Sequence, residues 1–240
     1  EGKLVSVLTI LQINEKEVEI SGYTIPDQRN KGYFTTLLDA AEDELIAFDL
    51  YRINFVIEPA SNHGKMTVMS FGATYVRSEY LLTIDLEDYS KRFHLSLYDL
   101  NLKISTLNSM DRIQAAYTHS EIFGTEFEKS EEMMEHVLES KQMVCYCAKV
   151  EDELIGTCNV NYNKDKAFIF GYGILPGYQG KGFGKAFIHY VLQQLIKEGI
   201  KKVSLQVNSD SEKAMGIYHY LGFDIITQYD YYAYEIEFEE

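Results

Sequence analysis

Slid against itself by 150 positions, the 240-residue chain meets a second copy of its own punctuation. Pro26 falls on Pro176, Lys31-Gly32 on Lys181-Gly182, Leu45-Ile46 on Leu195-Ile196, Ser61 on Ser211 and Gly72 on Gly222. Conservative matches such as Val5 with Ile155 and Ile53 with Val203 fill the intervals, and the register holds without a gap. Turn residues and helix starts coincide along with the order of the apolar segments. The duplication restricts the fold to two units of one design.

Each half reads as hairpin, glycine-bearing loop, helix, strand, short helix and two further strands. In the second half, residues of about 143–150, 153–162 and 166–175 alternate or run apolar between turn signals, as antiparallel strands do. After the loop Pro176 to Gly182, the apolar residues Phe183, Phe187, Tyr190, Val191 and Leu195 recur at three and four, and Gly199 stands at the helix stop. Val203 to Val207 is a short strand, and Ser209 to Ser211 can start a helix that Gly222 ends. The second copy also has a preface: a strand over Asp99 to Leu107, then helices over about Ser109 to Gly124 and Ser130 to Ser140. The first copy has no counterpart of it, because Glu1 already aligns with Glu151. Polar residues of about 87–96 are the expected linker, which gives domains 1–90 and 97–240.

Charge narrows the partners. The 37 Asp and Glu outnumber the 22 Lys and Arg, a formal charge of −15 that repels phosphate backbones and anionic membranes. No stretch approaches the ~18–20 apolar residues a spanning helix needs, and the first residues lack the basic-then-apolar layout of a signal peptide. A cytoplasmic protein with no nucleic-acid and no membrane partner is expected. Cys145 and Cys147 share one face of a predicted strand and, with Cys158, read as buried reduced thiols. The six histidines are scattered, so no metal is implied.

The segment that carries chemistry is Leu175-Pro176-Gly177-Tyr178-Gln179-Gly180-Lys181-Gly182-Phe183-Gly184-Lys185. Three glycines at alternate positions between a strand end and a helix start let successive N–H groups turn toward one point, where the helix adds partial positive charge. That is a diphosphate cradle. A Walker A loop would need Gly at Gln179 and Ser or Thr at Ala186, and a dinucleotide fingerprint would need Gly at Lys185, so neither fits.

The pattern that does fit is Q-x-x-G-x-G from Gln179 to Gly184, preceded by Ile174-Leu175-Pro176 and followed by Ala214, Tyr218, Gly222 and Phe223. On these residues the chain resembles the GNAT N-acetyltransferase superfamily over about residues 97–240. The first half is similar to the degenerate member of tandem GNAT proteins. Phe34 replaces its last loop glycine, where a side chain is expected to crowd a diphosphate, and Val68 stands at the position of Tyr218. The implied fold is α/β: two GNAT-like units, each a mixed, mostly antiparallel twisted sheet flanked by helices.

The resemblance implies acetyl-CoA as acyl donor and a primary amine of a small molecule or peptide as acceptor, joined by direct attack. No G-x-S-x-G elbow and no cysteine beside the cradle offers an acyl-enzyme route. Carried over as cofactor contacts are Gln179, Gly180, Lys181, Gly182, Phe183, Gly184 and Lys185, with Ile174 and Leu175 through their main chain. Ser211 stands where many members have an asparagine on the CoA arm, and as readily caps its helix. Tyr218 matches the tyrosine that protonates the departing thiolate. A phenol near pKa 10 and a thiol near 8.5 put full transfer uphill by about 2 kcal/mol, so donation of a hydrogen bond is the expected role. The predicted strand Lys166 to Leu175 holds no glutamate, which leaves Tyr172, or a water on Glu121, Glu126 or Glu128, as base. The negative balance favours a cationic acceptor, and Tyr229, Tyr231, Tyr232 and Tyr234 either line its groove or form two faces of a closing strand pair. A non-catalytic acyl-CoA-binding or sensing protein is the rival reading. No oligomeric state follows from the sequence.

Overall fold

The computed structural model describes residues 2–92 and 101–236. The first copy supplies strands β1 (Ser6–Gln12) and β2 (Glu17–Thr24), helix α1 (Tyr33–Ala47), β3 (Arg52–Ile57), α2 (Asn62–Ser70) and β4 (Thr74–Asp85). Helix α3 (Leu86–Arg92), β5 (Leu102–Thr106), α4 (Arg112–Phe123), α5 (Phe127–Glu139) and β6 (Met143–Val150) follow. The second copy supplies β7 (Glu153–Asn163), β8 (Lys166–Ile174), α6 (Phe183–Lys197), β9 (Lys202–Asn208), α7 (Glu212–Leu221) and β10 (Asp224–Glu235). The repeat is literal: α1 and α6 begin and end 150 residues apart, and so do β4 and β10.

Two expectations change. The closing pair of strands is in each copy one uninterrupted strand of 12 residues, because neither β4 nor β10 contains a Gly or Pro to turn it. The expected linker is helical over Leu86–Arg92: the Asp85 carboxylate accepts from the N–H groups of Glu87 and Asp88 at 2.9 and 3.4 Å, and Leu86 and Tyr89 are buried. Residues 93–96 of that linker, and 99–100 of the predicted strand, lie outside the described residues.

Packing divides the chain into two compact units that are not contiguous in sequence. One takes the residues up to Tyr80 with Asn208–Asp210 and those from Thr227 onward; the other takes Leu81–Val207 and Ser211–Ile226. The boundaries at 80 and 226 fall inside the two long strands, where no turn signal marks them.

In the first unit the strand order is β1-β2-β3-β10-β4. β1 and β2 are antiparallel, β2 and β3 parallel, and Asp230–Glu235 of β10 pair antiparallel with β3. Leu38 and Leu45 of α1 close a core on Val18, Ile20, Ile53, Phe55 and Val68. Tyr231 and Tyr232 are buried in this unit, with the Arg77 guanidinium 4.0 Å from the Tyr231 ring and Tyr232 in the core.

Phe34 corrects a further expectation. Its ring turns inward, so that a Cβ built on Gly22 would lie 2.2 Å from Phe34 Cε2. Gly22 and Phe34 correspond to Tyr172 and Gly184, so each copy places one aromatic ring between the strand and the helix start, from opposite sides. The ring fills the room left by the missing side chain instead of projecting over the loop.

In the second unit the order is β4-β9-β8-β7-β6-β5, all antiparallel from β8 to β5, with β8 and β9 parallel. α4 and α5 bury Ala115, Ala116, Met134 and Val137 against Cys145, Cys147 and Leu154, while α6 buries Phe187, Val191 and Leu195. Cys158 is buried as well, and all three thiols are free.

The size exchange makes a double-mutant prediction. Phe34→Gly should cost about 3–5 kcal/mol by opening a cavity, and Gly22→Tyr should be destabilising by collision. The double variant, which copies Tyr172 and Gly184, should recover at least half of the summed loss in urea unfolding. Additive losses would refute the exchange.

Candidate functional site

The site begins where β8 parts from β9. Parallel pairing runs from Lys166 opposite Lys202 to Ile169 opposite Leu205, while β8 continues to Ile174. On its other edge β8 carries a bulge: Phe170 faces Asn159 and Gly173 faces Thr157, three steps against two. Gly171 takes φ +55°, a left-handed angle that glycine adopts without strain, and Thr157 Oγ1 donates to its carbonyl at 3.2 Å.

Beyond the bulge the Leu175 N–H donates to Ile155 O at 2.8 Å, and the Leu175 carbonyl accepts from Tyr178 N at 2.9 Å. The Leu175 N–H is therefore already engaged within the sheet. Alternate residues of a strand turn their main-chain groups to opposite sides. Ile174 accordingly turns its N–H and C=O to the side that β9 has left, and its carbonyl accepts from Gln179 Nε2 at 3.0 Å. Gln179 thus ties the loop to the strand end with its side chain, and its N–H is engaged by Pro176 O at 3.2 Å.

Pro176–Tyr178 form one tight turn, after which Gly180 and Gly182 take φ +76° and +91° and α6 starts at Phe183. No side chain caps α6, and by helix geometry the N–H groups of Phe183, Gly184 and Lys185 have no intrahelical acceptor. A Cβ added at Gly180 or Gly182 would stand in open space, whereas one at Gly184 would lie 3.0 Å from Tyr172 Oη. The glycines therefore leave a concave row of main-chain donors uncovered. Lys181 Nζ donates to Gly177 O at 2.8 Å, and Lys185 Nζ lies 4.5 Å from the centre of the Tyr220 ring. Ser211 precedes α7 without making a side-chain cap, unlike Ser61 of the first copy, whose hydroxyl accepts from Gly64 N at 3.3 Å. Capping therefore does not account for Ser211.

Tyr172 and Tyr218 are brought together, ring centres 6.3 Å apart. Tyr172 donates its hydroxyl to Gly184 O at 2.7 Å, and burial, with Tyr218 and Cys158 nearby, pushes its phenol up. A phenol so held is ill suited to accept a proton; it braces the start of α6. Tyr218 is 5% exposed, and burial raises its phenol too, so it stays protonated and able to donate. Burial likewise raises the neighbouring Cys158 thiol, which leaves it un-ionised and a poor nucleophile.

Glu121, Glu126 and Glu128 are all exposed, and Glu126 pairs with Lys129 at 2.8 Å. The residue that sequence reasoning missed is His119, on the face of α4 that lies over the bulge. A Cβ on Gly171 would sit 3.2 Å from His119 Nε2 and 2.7 Å from Asn159 Nδ2, and one on Gly173 would meet Ile122 and Phe123. His119 Nδ1 is 3.0 Å from Ser130 Oγ, and burial pushes the imidazole down to about 4. The one available signal was a histidine in helical register with the apolar residues Ala115, Ala116 and Phe123. Among the described residues no cluster of His, Cys, Asp or Glu could hold a metal, and no helix is long and apolar enough to cross a membrane.

Comparison with known proteins places this geometry. Residues 109–223 match the model of the acetyltransferase (GNAT) family. A GCN5-related N-acetyltransferase from Sphaerobacter thermophilus superposes with a TM-score of 0.79 at 18% identity, covering 98% of this chain and 78% of that one. A tandem GNAT protein from the clavulanic acid biosynthesis pathway gives 0.73 at 14% identity, over 100% and 81%. A GNAT-family acetyltransferase from Colwellia psychrerythraea gives 0.68 at 10%, over 97% and 82%. At these identities the likeness establishes the fold: α/β, with an open mixed sheet flanked by helices.

The buried imidazole has a consequence for stability. An unfolded histidine takes up a proton as pH falls through about 6.5, whereas folded His119 stays neutral to about 4. Its contribution is therefore complete above pH 6.5 and declines toward pH 4, by at most about 1.4 kcal/mol per pH unit. Urea unfolding should lose less between pH 7 and 5 in His119→Gln than in the wild type. Equal losses would contradict a neutral buried imidazole.

Proposed function

We propose, from the membership of residues 109–223 in the acetyltransferase (GNAT) family, that this chain is an acetyl-CoA-dependent N-acetyltransferase acting on a primary amine of a small molecule or peptide. The family and the fold support acyl transfer in general. The observation that carries the narrower reading is the parting of β8 from β9 immediately before an uncapped, glycine-lined helix start.

The N–H groups from Gly180 to Lys185 then bind the diphosphate of acetyl-CoA, with Gly180 and Gly182 leaving room that a Cβ would occupy. Lys181 and Lys185 supply local positive charge on an acidic protein. The N–H of Ile174 pairs with the pantetheine arm along the opened edge of β8, and Ser211 hydrogen-bonds to the CoA arm. Gln179 and Tyr172 act as positioning residues, one tying the loop to Ile174 and the other holding Gly184. Tyr218 donates a hydrogen bond to the departing thiolate. The amine attacks the acyl carbon directly, and the charge of −15 favours a cationic acceptor. The first copy, with Val68 in place of the phenol, is structural or substrate-shaping.

Free thiol released from acetyl-CoA in the presence of amines tests the reading. Tyr218→Phe should lower kcat by about 100-fold with little change in the KM for acetyl-CoA. Tight CoA binding without thiol release from any amine would favour an acyl-CoA sensor instead. Gly182→Val should weaken CoA binding at least about tenfold by calorimetry. The matched control is Gly32→Val, at φ +81° before α1, which carries the same backbone strain and should leave CoA affinity unchanged. Equal loss in both variants would mean that strain, not a blocked cradle, had been measured.

A further inference from the structure

The acyl-transfer reading leaves one proton without a destination. An amine that becomes an amide must lose an N–H proton, and β8 carries no carboxylate to take it. Glu121, Glu126 and Glu128 are exposed, and the Tyr172 hydroxyl is bound to Gly184 O. The groups that do converge on the bulge come from α4 and β7.

Gly171 and Gly173 let α4 lie close on β8. Each lacks a side chain where His119, or Ile122 and Phe123, would otherwise be displaced. His119, Ile122 and Phe123 stand at helical spacing on one face, so the imidazole is carried to the bulge by a rigid element. The Phe123 ring packs against it at 4.5 Å between centres. Its Nδ1 contacts Ser130 Oγ at 3.0 Å, and Ser130 Oγ contacts Thr125 Oγ1 at 2.9 Å. Nδ1–H can donate to Ser130 as Ser130 donates to Thr125, and that is the tautomer the base assignment uses. Nε2 is then left as an acceptor, with no hydrogen-bond partner among the described residues.

Asn159 supplies the second, independent observation. Its side chain is fully buried beside Gly171, its Oδ1 has no hydrogen-bond partner, and its Nδ2 reaches only Met133 Sδ at 3.9 Å. A buried amide left unsatisfied loses its hydration without replacement, and a nonpolar residue there would avoid that loss. Two acceptor atoms without donors, Nε2 and Oδ1, therefore belong to the bulge at which β8 opens. An amine offers the complement: N–H groups and a proton to lose.

We propose that His119 is the catalytic base of the acetyl transfer and that Asn159 orients the acceptor amine beside it. The proposal rests on the acetyltransferase reading. In the step, the nitrogen lone pair of the neutral amine forms the C–N bond as the C–S bond breaks. The excess N–H proton passes to His119 Nε2, and the sulfur leaves with the bonding electron pair, hydrogen-bonded by Tyr218. The imidazolium returns its proton to solvent and the thiolate takes one up, so that amine and acetyl-CoA yield amide and CoA thiol with nothing left over. Burial favours the neutral imidazole, which keeps Nε2 free to accept at neutral pH.

The test is thiol release from acetyl-CoA with spermidine, phenethylamine, glucosamine and an alanyl peptide as acceptors, alongside calorimetry of CoA. His119→Ala should lower kcat at least 100-fold, leave CoA affinity within threefold, and regain activity with added imidazole, more with more basic imidazoles. A merely structural role would not respond to imidazole basicity. His119→Gln, which can still bond Ser130 but cannot act as a base, guards against misfolding of the alanine variant and should be equally slow with CoA affinity intact. Asn159→Leu should raise the KM for the amine more than that for acetyl-CoA. Full activity in His119→Gln, or a loss in His119→Ala that imidazole leaves untouched while CoA affinity is normal, overturns the assignment and spares the acetyltransferase reading. If the wild type binds CoA but releases no thiol with any amine, that reading fails and the base falls with it.

Discussion

A strand that stops pairing in the interior of a sheet creates the candidate site. Main-chain N–H and C=O groups are obligatory hydrogen-bonding groups, and an interior strand normally satisfies them on both edges. Past Ile169, β8 keeps β7 and loses β9. The bulge at Gly171 shifts the register on the edge that stays paired, and Thr157 secures the displaced carbonyl. The glycine loop and α6 follow at once, so the edge that β9 leaves leads directly to the uncapped helix start. Were β8 paired with β9 along its whole length, the donors of the loop would remain but nothing would connect them to a reaction centre.

The two copies separate backbone design from chemistry. β2 also outlasts its pairing with β3, which ends at Ile20 opposite Phe55, and Asn30 and Gly32 take the left-handed angles of Gly180 and Gly182. What the first copy lacks is side-chain placement. Its hairpin register from Ser6 to Thr24 runs without a bulge, Ser21 and Tyr23 stand where the second copy has Gly171 and Gly173, and buried Val68 replaces the phenol of Tyr218. A duplicated backbone can keep its loop because the loop depends on a few glycines and a proline. The proposed reactive centre depends instead on a bulge and on what packs over it, neither of which a loop of glycines supplies.

This difference also explains what could be read in the sequence. The loop, the helices α1 and α6, and the repeat were legible because prolines, glycines and apolar periodicity act locally. The long strands β4 and β10 were misread as pairs because strand length is set by partners remote in sequence, and no residue within them signals where one unit ends and the other begins. Asp85 was similarly opaque: only in three dimensions does its carboxylate start α3. Gln179 and Leu175 could be named from the motif, but not that a side-chain amide and a main-chain N–H were already engaged. His119 was invisible as chemistry because its meaning comes from Gly171 and Asn159, 52 and 40 positions away.

The proposed acid and base share an electrostatic logic. Burial holds Tyr218 protonated and His119 deprotonated, so both rest neutral. A site built from an ion pair would have to desolvate two charges before any substrate arrives, at several kcal/mol each. Here charge enters only with the substrates and develops only as bonds change, on a sulfur facing a donor and a nitrogen facing an acceptor. Tyr218 with its raised phenol is a poorer proton donor to a thiolate than a phenol in water, which separates hydrogen-bond donation in the reaction from proton uptake after it. The acid side of the mechanism is therefore electrostatic; burial weakens His119 as a base in the same way, so its proton transfer depends on the N–H acidity that the amine gains once its nitrogen has bonded to the acyl carbon.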